Sequence, residues 1–362
     1  MFETTIGAAA GSPARGEFQL AGRGGCGVRR YADLREDAEN LGEGTWAVVA
    51  EFDGPWHAWQ LADSWECDDK YTPVIPATAP PGDWRLAPPP QWRSSLTRAQ
   101  FTARVERIQG LIAEGRLSQV NLCRTLSTPT PMPPPARGVH HRIALEHPAP
   151  YGGWFDFPAS TGPRIWIAAA SPELAFRVRR GTLSCAPIKG TAPRAQQLRA
   201  KDYEENRLVA HALAEHIRCL CSDSTVSAGE IEQHPGLVQL VAGVEGTLRE
   251  DPAGDPGAWA NLLRLLLPPM SVAGVPIQPA LAEIAALEPV ERGPYCGAIG
   301  WIDVDAGEAC FAAMIRSFWW RGGEVKFGTG AGITADSDPL GEWEETELKA
   351  RRLLNIITGG AR

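Results

Sequence analysis

From Thr97 onward, apolar residues recur at Phe101, Val105, Ile108, Leu111 and Ile112. Spacings of three and four predict an amphipathic helix, and Gly115 supplies a C-terminal stop. The same period returns in Leu208, Val209, Leu213, Ile217 and Leu220, predicting a second long helix from about Ala200 to Leu220. Shorter helices are predicted over Ala258–Leu267 and Pro279–Leu287, and a closing one from about Leu340 to Ile357. Between them lie runs rich in β-branched and aromatic residues: Trp46–Ala50, QVNLCRTLS, GGWFDF, RIWIAAA, LAFRVRR, CGAIGWIDV, CFAAMIRSFWW and EVKFGTGAGI. Each reads as one strand. Helices and strands mix without a steady βαβ rhythm, so the pattern predicts α+β with large antiparallel sheets rather than a doubly wound fold.

Thr72–Trp92 carries too many prolines for a helix or a central strand and reads as a connector. It divides a short N-terminal portion, residues 1–94, from a main body, residues 95–362, within one fold. At 362 residues and 44% hydrophobic, the chain has ample material for a core and a buried site. A net charge of -8 with no basic block argues against nucleic acid or an anionic membrane surface as partner. No apolar run reaches the roughly 18 residues that span a bilayer, and the first residues lack a secretory pattern. A cytoplasmic protein is the expectation. The eight cysteines are mostly scattered singly, with no C-x-x-C pair, and read as reduced thiols.

Four features bear on chemistry. Asp202 and Glu205 share a helix face, as do Glu342 and Glu345, with Lys349 one turn further on. Oxygen ligands from two helices suit Mg²⁺, although such pairs are also the ordinary look of a solvated face. Gly328–Thr334, a G-x-G-x-G run at a strand end, suits a tight turn or a nest of amides for a carboxylate, and its spacing is wrong for a dinucleotide. Lys189, flanked by Pro187, Ile188 and Gly190, is either a desolvated, nucleophilic amine or an exposed lysine in a turn. Gly24–Gly27, which surrounds Cys26, has no histidine nearby and reads as a loop.

Several motifs occur together and in order: QVNLCR (Gln119–Arg124), HPAPY (His147–Tyr151), SPELAF (Ser171–Phe176), PIKGTAPR (Pro187–Arg194), KDYEEN (Lys201–Asn206), ERGPYCGAIG (Glu291–Gly300), MIRS (Met314–Ser317) and Gly330–Lys349. Over residues 97–357 the chain thereby resembles the chorismate-utilising enzymes: anthranilate synthase component I, aminodeoxychorismate synthase component I, isochorismate synthase and salicylate synthase. The resemblance implies a four-layer α/β/β/α fold, two large antiparallel sheets flanked by helices. It implies Mg²⁺ on Glu205 and Glu345, with Asp202 and Glu342 as second members, holding the ring carboxylate of chorismate. Arg316, Tyr295 and the amides of Gly330, Ala331 and Gly332 would grip the pyruvyl carboxylate, and Lys349 would lie near the ring carboxylate. Glu173 would be a general acid or base near the departing hydroxyl. Gln119, Gly190, Thr191 and Gln239 complete the implied substrate-binding set.

Two positions separate the subfamilies. Water-adding members carry a lysine where this chain has Gln119. PIKGT, with Lys189, resembles aminodeoxychorismate synthases, in which the lysine attacks C2 of chorismate before ammonia adds at C4. The implied product is 4-amino-4-deoxychorismate, on the route to 4-aminobenzoate and folate. No elbow cysteine with matching histidine and glutamate is found, so ammonia would come free or from a separate glutamine amidotransferase subunit. Departures from the family pattern are Gln239 in place of a histidine, AGVPI at Ala273–Ile277 in place of TGAPK, and AHALAEH at Ala210–His216. Anthranilate synthase component I and a chorismate-binding subunit with impaired catalysis are the alternatives.

Overall fold

The computed structural model describes residues 16–67, 86, 91–192, 194–234 and 237–359. Nearly all of the proline-rich connector lies outside these residues. The N-terminal portion forms strands β1 (Glu17–Leu20), β2 (Arg23–Asp33), β3 (Thr45–Ala50) and β4 (Trp56–Glu66), with a one-turn helix α1 (Leu34–Asp37). Next come β5 (Arg93–Ser94), α2 (Arg98–Ala113), β6 (Gln119–Pro129), α3 (Ala136–Glu146), β7 (Tyr151–Phe157) and β8 (Ile165–Ser171). The middle holds β9 (Leu174–Arg179), β10 (Thr182–Ala186), β11 (Ile188–Ala192), α4 (Ala200–His216), β12 (Thr225–Val226), β13 (Glu230–His234), β14 (Leu237–Val241) and β15 (Val244–Thr247). The chain finishes with α5 (Pro256–Leu266), β16 (Gly274–Val275), α6 (Ile277–Leu287), β17 (Ala298–Asp303), β18 (Glu308–Ala313), β19 (Ser317–Arg321), β20 (Glu324–Ile333) and α7 (Pro339–Thr358).

Local chemistry sets the helix ends. Thr97 and Gln100 form a reciprocal capping box at the start of α2, and Gly115 follows its end at φ +72°. Asp255 and Asp338 cap α5 and α7, each followed by proline at the first helical position, and Gly359 closes α7 at φ +71°. Pro279 is tolerated because it falls in the first turn of α6.

The strands are hydrogen-bonded antiparallel in the order β12–β15–β10–β9–β18–β17–β3–β4–β2–β1–β7–β8–β19–β20–β6, with β5 and β16 added to β6. Alternate side chains separate into three apolar clusters. Ala47, Val49, Phe155, Ile165, Ile167, Ile299 and Trp301 fill the space between the two halves of this ribbon. Trp46, Val48, Ala50, Phe176 and Val178 point outward beneath α4 and α5. Trp154, Trp166, Ala168, Phe318 and Phe327 point the other way, beneath α3 and α7. This is the α/β/β/α layering, and it explains why strands such as IWIAAAS are buried throughout and apolar up to the last residue: both of their faces are covered. The two β layers are halves of one sheet, which turns over between β4 and β7 through β2 and β1. Gly24–Gly27 is therefore strand rather than loop. A Cβ on Gly24 would stand 2.5 Å from the Trp65 ring, and Gly27 takes φ +69° beside a register shift, so a residue type that suggests a loop serves a corner.

CFAAMIRSFWW does not form one strand. It is two strands, β18 in one layer and β19 in the other, and Met314–Arg316 crosses between the layers with Arg316 at φ +50°. Pro172 and Glu173 make the same crossing from β8 to β9. The two crossings are tied together, Ala170 N donating to Arg316 O at 3.2 Å and Ala313 N to Glu173 O at 3.1 Å. A small separate sheet, β11–β14–β13, hangs beside α4.

Two glycine substitutions test this architecture. A Cβ at Gly153 would stand 2.1 Å from the Gln19 carbonyl at the β1–β7 seam, so Gly153→Ala should cost about 1–3 kcal/mol in urea unfolding. Gly110 lies in α2 with open space around it, and Gly110→Ala should add about 0.5–1 kcal/mol.

Candidate active site

The crossings, β6, β20, the β11–β14 sheet, α4 and α7 enclose a cleft of about 1000 Å³ that opens to solvent. Lys189, Glu173, Gly190, Gln239, Tyr295, Arg316, Gly330, Gly332, Lys349, Asp202, Glu205, Glu342 and Glu345 all line it. Three other residues singled out from the sequence are placed differently. Ala331 turns its side chain into the core between the strand layers. Gln119 is buried behind Gly332, its Nε2 without a hydrogen-bond partner among the described residues. Thr191 faces Gln239 in the β11–β14 ladder, and its side chain lies outside what the structure describes.

Lys189 is buried, 9% exposed, so it is not the exposed turn lysine that its neighbours also allowed. Its Nζ donates to Ser271 O at 2.8 Å and to Asn121 Oδ1 at 3.2 Å. Burial lowers the pKa of this amine, against the attraction of Glu173, Glu205 and Glu345. Gly190, at φ +79° in a bulge of β11, turns the chain beside Asp202, where a Cβ would come within 2.8 Å of that side chain. Gly328–Ile333 forms neither a turn nor a nest. It is extended strand, paired from Gly328↔Thr125 to Ile333↔Val120, with Gly328, Gly330 and Gly332 on one face. A Cβ on Gly328 would enter the Tyr295 ring at 2.2 Å, and one on Gly332 would stand 3.4 Å from Lys189 Nζ. The missing side chains leave room for the tyrosine and the amine.

Glu173 is fully enclosed. Burial raises its pKa to about 7, although the Ser271 hydroxyl donates to its carboxylate and Lys189 favours the charged form. Across the cleft, Arg316 is 7% exposed, and its guanidinium forms no hydrogen bond or ion pair among the described residues. Burial lowers its pKa to about 10, so it keeps its charge at neutral pH. A buried, charged fork of donors aimed into a cleft is suited to a planar anion. On α7, Lys349 Nζ pairs with Glu345 at 2.7 Å and donates to Gly330 O at 3.0 Å.

Among the described residues, no three His, Cys, Asp or Glu side chains converge as a preformed metal cage. Mg²⁺ commonly takes only one or two carboxylates and completes its shell with water and substrate oxygens. Asp202 and Glu205 of α4 and Glu342 and Glu345 of α7 line the same cleft, a donor set of the kind that requirement calls for. Asp202 is partly engaged, accepting from Arg199 N at 2.6 Å.

Asn121, Ser271, Arg292 and the pair Cys123 and Cys296 were not singled out from the sequence. Asn121 had a signal, since it shares a face of β6 with Gln119, opposite Val120 and Leu122. Ser271 sits in a single 3₁₀ turn, Met270–Val272, too short to leave a periodic signature. Arg292, fully buried, donates to Asn121 O and Val272 O and pairs with Glu288 at 2.6 Å, bracing the wall.

The profile of a family described as chorismate binding enzyme matches residues 36–355. The chain belongs to that family. As a chorismate-binding enzyme it is 33% identical over 284 residues to anthranilate synthase component 1 of Streptomyces coelicolor, a match covering 74% of this chain and 53% of that one. It is 32% identical over 269 residues to aminodeoxychorismate synthase of Streptomyces griseus, covering 70% and 35%. The chain thus spans about half the length or less of these two curated relatives. Among solved structures, anthranilate synthase component I from Streptococcus pneumoniae TIGR4 superposes with a TM-score of 0.74 at 19% identity, over 98% of this chain and 95% of that one. The menaquinone-specific isochorismate synthase from Escherichia coli gives 0.72 at 20%, over 95% and 88%. These likenesses show the fold. No helix among the described residues is long and apolar enough to cross a membrane.

A carboxyl whose pKa rises on folding contributes stability below its unfolded value, near 4.5, and loses it as pH climbs through about 7. Glu173→Gln should therefore melt higher than the parent at pH 8, by up to about 3 kcal/mol of stability, and the difference should vanish near pH 4. Melting temperatures of the two proteins across that range check it.

Proposed function

We propose that the chain is the chorismate-aminating component of an aminodeoxychorismate synthase, converting chorismate and ammonia to 4-amino-4-deoxychorismate and water. The observation that carries this reading is the position of Lys189: a buried amine, its pKa lowered, held by an amide oxygen and a main-chain carbonyl beside a protonatable glutamate. A neutral amine is the nucleophilic form, and desolvation is what makes it available. Arg316 would bind one carboxylate of chorismate and so orient the ring toward Lys189.

The steps balance. The Nζ–C2 bond forms as the C4–O bond breaks, and Glu173 supplies the proton with which the hydroxyl leaves as water. Ammonia then bonds to C4 as the C2–Nζ bond breaks, Lys189 departs as the free amine, and Glu173 is reprotonated from solvent. With Lys189 neutral and Glu173 protonated, three cations (Arg199, Arg316, Lys349) and four carboxylates (Asp202, Glu205, Glu342, Glu345) line the cleft. A substrate with two carboxylates worsens that imbalance, and a bound Mg²⁺ would offset it. Glu205 and Glu345, with Asp202 and Glu342 beside them, would hold the ion, which supplies Lewis-acid neutralisation of the ring carboxylate. A separate glutamine amidotransferase subunit is the proposed ammonia source in the cell.

The second reading, anthranilate synthase component I, is favoured by the 33% identity to the Streptomyces coelicolor anthranilate synthase component 1. Incubation with chorismate, Mg²⁺ and an ammonium salt, followed by mass spectrometry, separates the two. Aminodeoxychorismate, converted to 4-aminobenzoate only when a lyase is added, is the expected product. Anthranilate fluorescence without a lyase would overturn the first reading in favour of the second. Lys189→Ala should lower ammonia-dependent turnover by at least about 100-fold with an unchanged melting profile, and an unchanged rate would remove Lys189 from the chemistry.

A further inference from the structure

Cys123 and Cys296 face each other in the wall of the cleft, their Sγ atoms 4.0 Å apart. The amination scheme uses neither. They are 173 residues apart in the chain, Cys123 on β6 and Cys296 in the turn that enters β17, so the fold rather than local sequence brings them together. Both thiols are free and almost fully buried, and the cleft they line gives a small oxidant an approach.

The two sulfurs are not equivalent. Burial, then the hydrogen bond to Cys296, raises the Cys123 pKa well above the ordinary thiol value. At Cys296 burial also opposes ionisation, but the hydrogen bond with Cys123 and the nearby Arg292 guanidinium outweigh it and lower the pKa. One thiol donates and the other accepts, the asymmetry a reactive pair needs.

We propose that Cys123 and Cys296 are an oxidisable pair that a peroxide closes into a disulfide, and that closure removes the cleft's capacity for chorismate. The Cys296 thiolate attacks an oxygen of hydrogen peroxide, giving a sulfenic acid and hydroxide. The Cys123 sulfur then attacks the sulfenic sulfur, the S–S bond forms, and the hydroxyl leaves as water. Two thiols and one peroxide become one disulfide and two waters.

The sulfurs must approach by about 2 Å to reach bonding distance. Cys123 is fixed in the β6–β20 ladder opposite Gly330, so the movement falls on the Cys296 turn. Cys296 stands at φ +62° directly after Tyr295, whose ring is parallel to Trp319 at 6.2 Å and occupies the space left by Gly328. Pulling Cys296 toward β6 displaces Tyr295 from the cleft wall. The loss of binding rests on the chorismate reading above, whereas the cross-link does not.

The test treats the full chain with hydrogen peroxide, alkylates remaining thiols, and maps peptides by mass spectrometry. Alongside, chorismate with Mg²⁺ is added to reduced and oxidised protein and the melting shift is measured. The expected result is a chain about 2 Da lighter than the reduced one before alkylation, with Cys123 and Cys296 peptides joined. The joined peptide should be absent in Cys123→Ala and in Cys296→Ala. The chorismate-dependent shift should disappear on oxidation and return with dithiothreitol. Alkylation of both cysteines after peroxide, with no joined peptide, overturns the proposal. So does a cross-linked protein that keeps its full chorismate shift. Reduced protein that does not respond to chorismate counts against the functional reading, and the pair is then judged on the cross-link alone.

Discussion

Two neighbouring strands leave one layer of the sheet and enter the other, and the hydrogen bonds Ala170–Arg316 and Ala313–Glu173 hold those crossings together. A crossing is a place where a side chain need not point into either apolar layer. It is therefore where a buried sheet protein can present a carboxyl and a guanidinium to a shared space. The left-handed backbone of Arg316 is the local expense of that arrangement, of the order of 1 kcal/mol for a non-glycine residue, offset by the ladders on either side. The rest of the cleft is assembled around these two fixed points: β20 contributes a glycine face, α7 its carboxylates and Lys349, and the small β11–β14 sheet Lys189.

Burial gives each ionisable group in the cleft its chemical character. Glu173 is driven toward holding its proton and Lys189 toward losing one, both for want of solvent. The same withdrawal of water lowers the pKa of Arg316 only to about 10, so the guanidinium stays charged, and among the described residues it forms no ion pair. One physical cause thus acts on three residue types, and hydrogen bonds with Ser271 and Asn121 hold Glu173 and Lys189 in place.

The helices, many of the strands and the α+β class were legible in the pattern of apolar residues, because amphipathic helices leave a periodic signal and doubly covered strands a continuous apolar run, whereas the four-layer arrangement was implied by the family resemblance. Helix ends at Thr97, Gly115, Asp338 and Gly359 could be read from capping chemistry or lay within a turn of the reading. What misled was composition without context. Glycines at residues 24–27 suggested a loop but serve a strand corner, and those at 328–332 suggested a turn but clear space for Tyr295 and Lys189. The unbroken apolar run through Met314 hid the crossing at Arg316, because both flanking strands are equally buried. Ser271 and the Cys123–Cys296 contact are products of long-range topology, and one chain read alone carries no trace of such contacts.

The position of β1–β4 in the middle of the ribbon bears on how far the chain can be divided. A boundary near residue 94 looks natural from the proline content, yet those strands join the β17 edge of one layer to the β7 edge of the other. Remove them and each layer is left with an unpaired strand of open N–H and C=O groups, free to recruit another chain. The N-terminal segment is in that sense a hinge pin rather than a module, since residues 95–362 depend on it for the strand partners of both β17 and β7.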